Sequence, residues 1–315
     1  MKLLLKLLPC SQSKELSAQA PKQTPRSRAS DRQLTARFFP GCPLVRRTSK
    51  RATQRSIQAL GSVLAALCTP GVLLLPGFAQ PSTDPLQAAY RAAIQEAALV
   101  EPEKDVDTLI PITPNNPLLV WNSTKTQVLV VTWKSQKVYE RYLKPNVKSS
   151  RQEDQLLWVT VAPQVKEFCQ RYLKQHPNAT EADLTLRLKQ YLGLNPNWEY
   201  DRFVELWVSP QDLFRPCVNP DITQRRCPLN FAGLPPKVTG RTQGSGIQNY
   251  QSFYQALYFR SIRAALQPWT GLGYTYDWGS PISRVGASEF ILVPGATYAV
   301  KQAVPTLPYC QAVSP

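Results

Sequence analysis

Histidine is almost absent from this sequence of 315 residues, in which His176 is the single example. Catalytic triads of the Ser-His-Asp and Cys-His kinds use an imidazole as their base, so His176 would have to serve any of them. It lies in the polar segment 174–178, at a predicted helix end, where a solvated side chain is the simpler interpretation. The sequence therefore argues against catalysis that depends on histidine.

Binding motifs for metals and nucleotides are missing as well. A zinc site is disfavoured because the seven cysteines include no Cys-x-x-Cys knuckle that could join the lone histidine. The Gly-Ser-Gly segment at 244–246 has no following Lys and no strand-to-helix context, so it does not form a phosphate loop. We expect neither a metal ion nor a cofactor.

Acidic residues are scarce at the start of the chain, where residues 1–58 hold 13 Lys or Arg but only Glu15 and Asp31 as acids. This region accounts for most of the formal net charge of +16, and the rest of the chain is only mildly basic. A nucleic-acid-binding domain carries its positive charge on its folded surface. We therefore expect no nucleic acid partner.

The basic leader is followed by a pattern typical of export. An uncharged apolar run at 59–78 comes after the basic residues at 46–55, and the small residue Ala79 precedes Gln80. This order predicts a signal peptide that is cleaved after Ala79. An uncleaved membrane anchor is the alternative, because the run approaches the ~20 residues needed to span a bilayer. Two Pro-Gly pairs interrupt the run and favour the signal peptide.

The sequence thus divides into a basic leader at 1–58, a hydrophobic signal region with its cleavage site at 59–79, and a single mature domain at 80–315. Any membrane contact would be made through an uncleaved leader. The unusual length of the leader has two explanations, a misplaced translation start and an organelle transit peptide poor in acids. The sequence does not choose between them.

Four of the seven cysteines remain after the predicted cleavage, and an even number in an exported chain predicts two disulfides. Three pairings of the four are conceivable. We favour Cys217 with Cys227, which closes a short local loop, and Cys169 with Cys310, which ties the end of the chain to a helix. Free buried thiols are the alternative.

Local patterns predict an α+β fold. Asp84 before a proline marks one helix start, and Thr180 with Asp183 forms a capping box that marks another. The apolar segment 203–208 is typical of a strand and leads into the Pro-rich cysteine loop, while a Pro-Gly turn at 294–295 separates two further strand-like runs. We predict a single α+β domain with a mostly antiparallel sheet, about four helices and two disulfides.

Aromatic residues cluster near the end of the chain, where 268–279 combines two Trp and two Tyr with three Gly. Flat rings can stack on sugars or peptides while their polar tips form hydrogen bonds. Trp and Tyr are also common core residues, but the surrounding glycines favour exposure here. The predicted binding residues are Tyr274, Tyr276, Asp277 and Trp278, and further aromatic candidates are Trp198, Tyr200, Trp207 and Trp269.

Carboxylates are the remaining candidates for chemistry. Two carboxyl groups about 5 to 10 Å apart across a groove would suit glycoside hydrolysis. The acids near the cysteine loop and the aromatic segment are Glu199, Asp201, Glu205, Asp212, Asp221, Asp277 and Glu289. Their spacing singles out no pair, so we assign no catalytic residue.

Three segments carry a resemblance to known sequences: 203–223, 268–279 and 286–291. With these motifs, the chain from about Asp84 onward resembles an uncharacterised family of exported cyanobacterial proteins. The resemblance implies export and a cyanobacterial origin, and it implies no activity because the family has none assigned. The long basic leader is the part of the chain that departs from the family pattern.

Together these features predict a protein of the periplasm, the thylakoid lumen or the secreted fraction. We expect a non-catalytic binding or scaffolding domain of the cell envelope, whose partner is an envelope glycan or protein. The alternative is a carboxylate-dependent hydrolase of envelope glycan or peptide. A deep cleft with two facing acids would favour the hydrolase, and a flat aromatic patch would favour the binding domain.

Overall fold

The structure of the chain, a computed structural model, describes residues 84–152, 155–232, 247 and 249–311. The predicted leader at 1–58, the signal region at 59–79 and the proposed cleavage after Ala79 lie outside the described residues.

Seven strands form one antiparallel sheet in the described part of the chain. The strands are β1 (Val128–Lys134), β2 (Leu157–Val161), β3 (Arg202–Val208), β4 (Leu213–Phe214), β5 (Tyr274–Tyr276), β6 (Val285–Leu292) and β7 (Tyr298–Pro305). Their order is β4-β6-β2-β1-β3-β7, and β5 pairs with β6 beside this path. The predicted antiparallel α+β class is confirmed.

Strand β3, predicted from its apolar run, lies between β1 and β7 and pairs with β1 along its whole length. Its two faces enter different parts of the core. Val204, Leu206 and Val208 pack into the larger cluster, and Phe203 packs into a second cluster on the opposite face. Because both faces are covered, the strand is apolar at consecutive positions and does not alternate with polar residues.

The connection between β6 and β7 shows that the sheet is curled. These strands follow each other in the chain but stand four positions apart in the sheet, which is about 19 Å in a flat sheet at ~4.8 Å per strand. The connection is a tight turn, in which Ala296 N donates to Val293 O at 2.9 Å and Gly295 has a φ of 78°. Such a turn reverses the chain and cannot cross that distance, so the sheet bends to bring the two strand ends together.

Six α-helices surround the sheet in the described residues: α1 (Pro85–Ala97), α2 (Gln136–Val138), α3 (Ala162–Gln175), α4 (Glu181–Tyr191), α5 (Tyr250–Phe259) and α6 (Thr306–Gln311). Four have ten residues or more, which fits the prediction of about four helices, and α2 and α6 are shorter additions. Short π-helical turns follow α2 and α5 at Tyr139–Leu143 and Arg260–Ala264, and 3-10 turns occupy Pro102–Lys104 and Pro210–Asp212.

The predicted helix starts are confirmed. Asp84 accepts a hydrogen bond from Leu86 N at the start of α1, and Thr180 with Asp183 forms the full capping box of α4. Helices α3, α4 and α6 cover the sheet face that carries Trp133. No helix in the described ranges combines the length and the hydrophobicity that crossing a membrane requires.

Both predicted disulfides are present. Cys169 in α3 joins Cys310 in α6, and Cys217 joins Cys227 across the loop after β4. All four sulfur-bearing residues are buried. Two disulfides favour an oxidising compartment outside the cytoplasm.

Arg215, two residues before the first cysteine of that loop, is completely buried and joins three segments. Its Nη1 donates to Gly273 O at 3.2 Å, and its Nη2 donates to Ile110 O at 2.9 Å and to Gln224 O at 3.3 Å. Its guanidinium carbon lies 4.6 Å from the centre of the Phe290 ring on β6. Burial lowers the pKa of this guanidinium to about 10, and the carbonyl partners replace the water that the charge has lost.

Removing each disulfide separately, by Cys→Ala at both of its cysteines, should destabilise the fold by different amounts. Loop-closure entropy predicts a loss of about 5 kcal/mol for Cys169–Cys310, which are 141 residues apart, and about 3 kcal/mol for Cys217–Cys227, which are 10 apart. Urea unfolding measures both values. A larger loss for the short loop would show that native-state packing at the Cys217–Cys227 loop outweighs chain entropy.

Arg215→Lys should cost about 3 kcal/mol of unfolding free energy, because a lysine ammonium cannot reach three separated carbonyl groups with one planar fork. Arg226→Lys in the same loop is the matched control. Arg226 is exposed and pairs with Asp105 at 3.3 Å, so its replacement should stay within about 0.5 kcal/mol. Equal effects of the two variants in urea unfolding would contradict the assignment of Arg215 as the link between the three segments.

Candidate functional site

The aromatic segment predicted to be exposed is buried, so that expectation is wrong. Tyr274 and Trp278 are core residues, and Tyr276 is only 1% exposed. The Tyr274 hydroxyl donates to Lys104 O at 2.9 Å, and the Trp278 ring meets the Tyr90 ring of α1 edge to face. These contacts hold the segment between α1 and the sheet.

The glycines explain the error. Gly271 and Gly273 have φ values of 64° and 79°, in the region that side chains rarely adopt. A Cβ at Gly271 would collide with the Tyr254 hydroxyl, and one at Gly273 would collide with the Arg215 side chain. The glycines therefore allow close packing against neighbouring side chains. The prediction from the sequence was that they would open a surface loop.

Asp277, the fourth predicted binding residue, forms a buried ion pair. Its two carboxylate oxygens accept hydrogen bonds from Arg187 Nη1 and Nη2 at 2.8 and 2.6 Å, and one of them also accepts from Gly279 N at 3.1 Å. This paired geometry fixes the turn after β5 to helix α4. Of the four predicted binding residues, Tyr276 is the one that lines the cavity described next.

A cavity of about 230 Å³ opens where strands β1 and β2 separate. The two strands pair only at Val130–Val161 and Val131–Thr160. Beyond these pairs β1 stays with β3, and β2 stays with β6. The cavity is lined by residues from the diverging parts of both strands, together with residues from the loop after α4 and the segment that follows α5.

Aromatic rings form most of the cavity wall. The Trp133 and Tyr200 rings stack with centres 5.0 Å apart, and Trp158 meets Trp269 edge to face at 5.9 Å. Trp198 is 38% exposed and lies at the rim. The aromatic lining residues are Trp133, Trp158, Trp198, Tyr200, Phe203, Trp269 and Tyr276.

Glu289 on β6 places a carboxyl group in this aromatic wall. It is 6% exposed and faces the cavity in a row with Thr160 of β2 and Val131 of β1. Trp269 Nε1 donates to its Oε1 at 2.9 Å, and the described residues give its Oε2 no hydrogen bond. Burial raises the pKa of Glu289 to about 8, and the Trp269 hydrogen bond and the charge of Arg215 reduce this effect. At neutral pH the group is mostly protonated and can donate a hydrogen bond.

Lys134, the last residue of β1, also lines the cavity. It is half-buried, and loss of hydration lowers the pKa of its ammonium. Among the described residues, none forms a hydrogen bond or a salt bridge with its Nζ. Lys134 is adjacent to Trp133 and three residues from Val131, so strand alternation directs its side chain to the sheet face opposite to Val131 and Glu289.

The other acids considered from the sequence lie elsewhere. Glu205 is buried and accepts hydrogen bonds from Lys301 Nζ at 3.0 Å and Gln302 Nε2 at 2.8 Å. Asp221 accepts hydrogen bonds within its own turn in the cysteine loop. The lining of the cavity thus contains one carboxyl group, that of Glu289. The two facing acids that a glycoside hydrolase needs are not brought together there.

The described part of the chain shows neither a buried histidine nor a cluster of metal-binding side chains. His176 is exposed at the end of α3, and its ring stacks on that of Tyr172. No group of three or more His, Cys, Asp or Glu residues within the described ranges could hold a metal ion.

Sequence reasoning proposed Trp198, Tyr200, Trp269, Tyr276 and Glu289 as candidates, and the structure brings them together around the cavity. Three lining residues on the diverging strands were not among the candidates from the sequence: Trp133, Lys134 and Trp158. The available signal was weak. A lysine that ends an otherwise apolar strand is unremarkable until the separation of β1 and β2 is known.

No protein-family model matches this chain, and comparisons with curated proteins and with solved structures find no similar sequence or fold. The function is therefore inferred from the cavity.

Glu289 should make the stability of the fold depend on pH. Its pKa in the folded state, about 8, lies above the ordinary value of 4.5, so the folded protein keeps a proton that the unfolded chain releases. Its contribution to the unfolding free energy therefore falls by about 1.4 kcal/mol per pH unit between these values. Glu289→Gln should remove this loss, so the variant gains stability relative to the wild type from pH 5 to pH 8.

Urea unfolding at several pH values tests this, with Glu140→Gln as the matched control, because Glu140 is exposed in the π-helical turn that follows α2. Parallel stability curves for the wild type and Glu289→Gln would contradict a buried, proton-binding carboxyl group.

Proposed function

We propose that this chain is an exported, non-catalytic domain of the cell envelope that binds a small ring-containing molecule. The observation that carries the proposal is the cavity between β1 and β2, whose walls are mostly aromatic and which contains one buried carboxyl group. Ligand sites typically combine an apolar lining with a few placed polar groups that fix orientation.

The size of the cavity limits the ligand. About 230 Å³ is below the usual ~300–1,000 Å³ of sites for drug-sized molecules. A single ring fits this space, whereas an extended oligosaccharide does not. The partners that suit it are a free one-ring molecule, the terminal unit of an envelope glycan, or a single ring presented by an envelope protein.

Export is part of the proposal. The two disulfides support an oxidising compartment. The basic leader, the apolar run before Ala79 and the resemblance to exported cyanobacterial proteins point the same way. The compartment would be the periplasm, the thylakoid lumen or the secreted fraction.

Binding is favoured over the hydrolase alternative by the content of the cavity. Hydrolysis of a glycosidic bond by the usual mechanisms needs a second carboxylate facing the first. The lining supplies Glu289 without such a partner, while it supplies seven aromatic rings for stacking.

Binding of one-ring probes should depend on free space beside Glu289. Isothermal titration calorimetry with phenol, indole and methyl glucoside should show saturable binding of at least one probe to the mature domain. Thr160→Phe fills the cavity beside Glu289 and should weaken that binding about tenfold or more. Thr124→Phe, the same change on an exposed turn, should leave it unchanged.

Leu194→Trp is a second filling variant, from the loop after α4, in case the change in β2 disturbs folding. Two results would overturn the proposal: no saturable binding of any of the three probes, or equal binding by the wild type and a folded filling variant.

A further inference from the structure

Two neighbouring polar side chains on the wall of the cavity narrow the class of ligand. Building on the proposed function, we propose that the ligand is an uncharged ring that carries one hydroxyl group, of the phenol type. This hydroxyl accepts a hydrogen bond from Glu289 and donates one to Thr160, while the ring packs against the indole rings beside them.

Thr160 and Glu289 lie side by side on the sheet. They are direct register partners on β2 and β6, and the Cβ atoms of such partners are about 4.5 to 5.5 Å apart. Both residues are buried and both line the cavity. A single hydroxyl group of a ligand can therefore reach the two side chains at once.

Both side chains have hydrogen-bonding capacity that the described residues leave unused. Trp269 Nε1 donates to Glu289 Oε1 at 2.9 Å, and the described part of the chain gives neither Glu289 Oε2 nor Thr160 Oγ1 a hydrogen bond. Because Oε1 already accepts a hydrogen bond, a proton on Oε2 leaves an O–H that can donate. Thr160 Oγ1 offers lone pairs as an acceptor. The pair therefore matches a ligand group that accepts and donates through one oxygen atom.

The scarcity of other free polar groups argues against a sugar. Thr275 Oγ1 is engaged by the backbone, since it donates to a carbonyl oxygen at 2.7 Å and accepts from an amide N–H at 2.8 Å. Thr132 and Lys134 belong to the opposite face of β1. The remaining polar side chains of the lining, which are partly exposed to solvent, are Trp198, Tyr200 and Gln267. A pyranose would bury several hydroxyl groups here, and each one without a partner is unfavourable.

The charges around the pair argue against an ionic ligand. Burial raises the pKa of Glu289 to about 8, so at pH 7 the group is mostly neutral and offers a cation no counter-ion. Arg215, which lies against the adjacent residue Phe290, adds positive potential that opposes a cation further. An anion would lose its water without gaining a cationic partner, which is unfavourable, because the side chain of Lys134 is directed to the opposite face.

Two indole rings stand beside this pair. Trp158 is two residues from Thr160 on the same face of β2, and Trp269 bonds directly to Glu289. The two indoles meet edge to face, with ring centres 5.9 Å apart. They offer an aromatic ligand the offset and edge-to-face contacts that such rings prefer.

Three probes of similar shape separate the contribution of the hydroxyl from that of the ring. Phenol can accept and donate, anisole can only accept, and toluene can do neither. Calorimetry on the mature domain at pH 7 should give phenol the lowest Kd and toluene the highest, with about fivefold between successive probes. Burial of apolar surface alone would give the reverse order, because phenol is the most polar of the three.

Substitutions assign the two hydrogen bonds to residues. Thr160→Val keeps the shape of the side chain and removes its hydroxyl, so phenol should then bind no better than anisole. Thr124→Val, on an exposed turn, is the matched control and should keep the preference for phenol. Glu289→Leu removes the donor, so anisole should then bind no better than toluene.

The pH dependence identifies Glu289 as the donor. Because this group ionises around its pKa of about 8, anisole should bind about tenfold more weakly at pH 9 than at pH 7. Phenol should keep most of its affinity, since its own O–H can donate to the ionised carboxylate and its pKa of ~10 leaves it mostly neutral. Glu289→Gln can donate at every pH and should bind anisole equally at pH 7 and pH 9.

Other titratable groups surround Glu289. Those that interact with it or line the cavity are Arg215, Lys134, Tyr200, Tyr254, Tyr274 and Tyr276. Burial raises the pKa of each tyrosine, so all four stay neutral at pH 9. Arg215, with a pKa of about 10, stays mostly charged. Burial lowers the pKa of Lys134, so Lys134→Met is the control, and it should leave the loss of anisole affinity unchanged.

Toluene binding as tightly as phenol to the wild type would overturn the assignment of a hydroxyl-bearing ligand, and this comparison needs no variant to fold. Tighter binding of methyl glucoside than of phenol would overturn it as well, and so would an anisole affinity that is the same at pH 7 and pH 9. In each of these cases a ring binds, so the proposed function would stand. If no probe of either panel showed saturable binding, the proposed function would fail with it.

Discussion

The burial of one guanidinium group organises much of this structure. Arg215 keeps its charge in the core because carbonyl oxygens of three loops accept its hydrogen bonds: those of Ile110, Gly273 and Gln224. The loops around Ile110 and Gln224 also bond to each other, with Leu109 N donating to Arg225 O at 3.1 Å and Ile112 N donating to Ile222 O at 2.8 Å. The shared cation supplies partners to all three. Through Gly273, Arg215 also holds the aromatic segment whose residues Trp269 and Tyr276 line the cavity. The charge of Arg215 limits how far burial can raise the pKa of Glu289.

The cavity lies where two halves of the sheet separate. Strand β1 follows β3 over seven residue pairs, and β2 follows β6 over four, but the two halves share only two pairs. The halves separate beyond Val131, and the large side chains Trp133 and Trp158 stand on the diverging strands. A close-packed interior would normally fill such a gap. Here rings border the gap and leave it open, and the carboxyl group of Glu289 lies beside space that a ligand can enter.

Features that depend on neighbours in the chain could be predicted from the sequence. The caps at Asp84 and Thr180, the strand that became β3 and the even number of cysteines each follow from local stereochemistry or from simple counting. The exposure of the aromatic segment was predicted wrongly, because a glycine permits both an open loop and a close approach. Side chains distant in the sequence decide between them, Tyr254 at Gly271 and Arg215 at Gly273. Lys134 was missed for a related reason. Its environment is created by a separation of strands that no local pattern encodes.

The bond between Cys169 and Cys310 has a consequence for the order of events during biogenesis. In a chain that crosses a membrane from its N-terminus, Cys169 emerges first, and both Cys217 and Cys227 follow it before its true partner appears. An oxidant acting strictly in order of emergence would therefore join Cys169 to Cys217. The native pairing requires that the helix holding Cys169 be shielded until α6 docks, or that an isomerase correct the first bond. In an exported chain, this bond would form only after the segment that carries Cys310 has crossed the membrane.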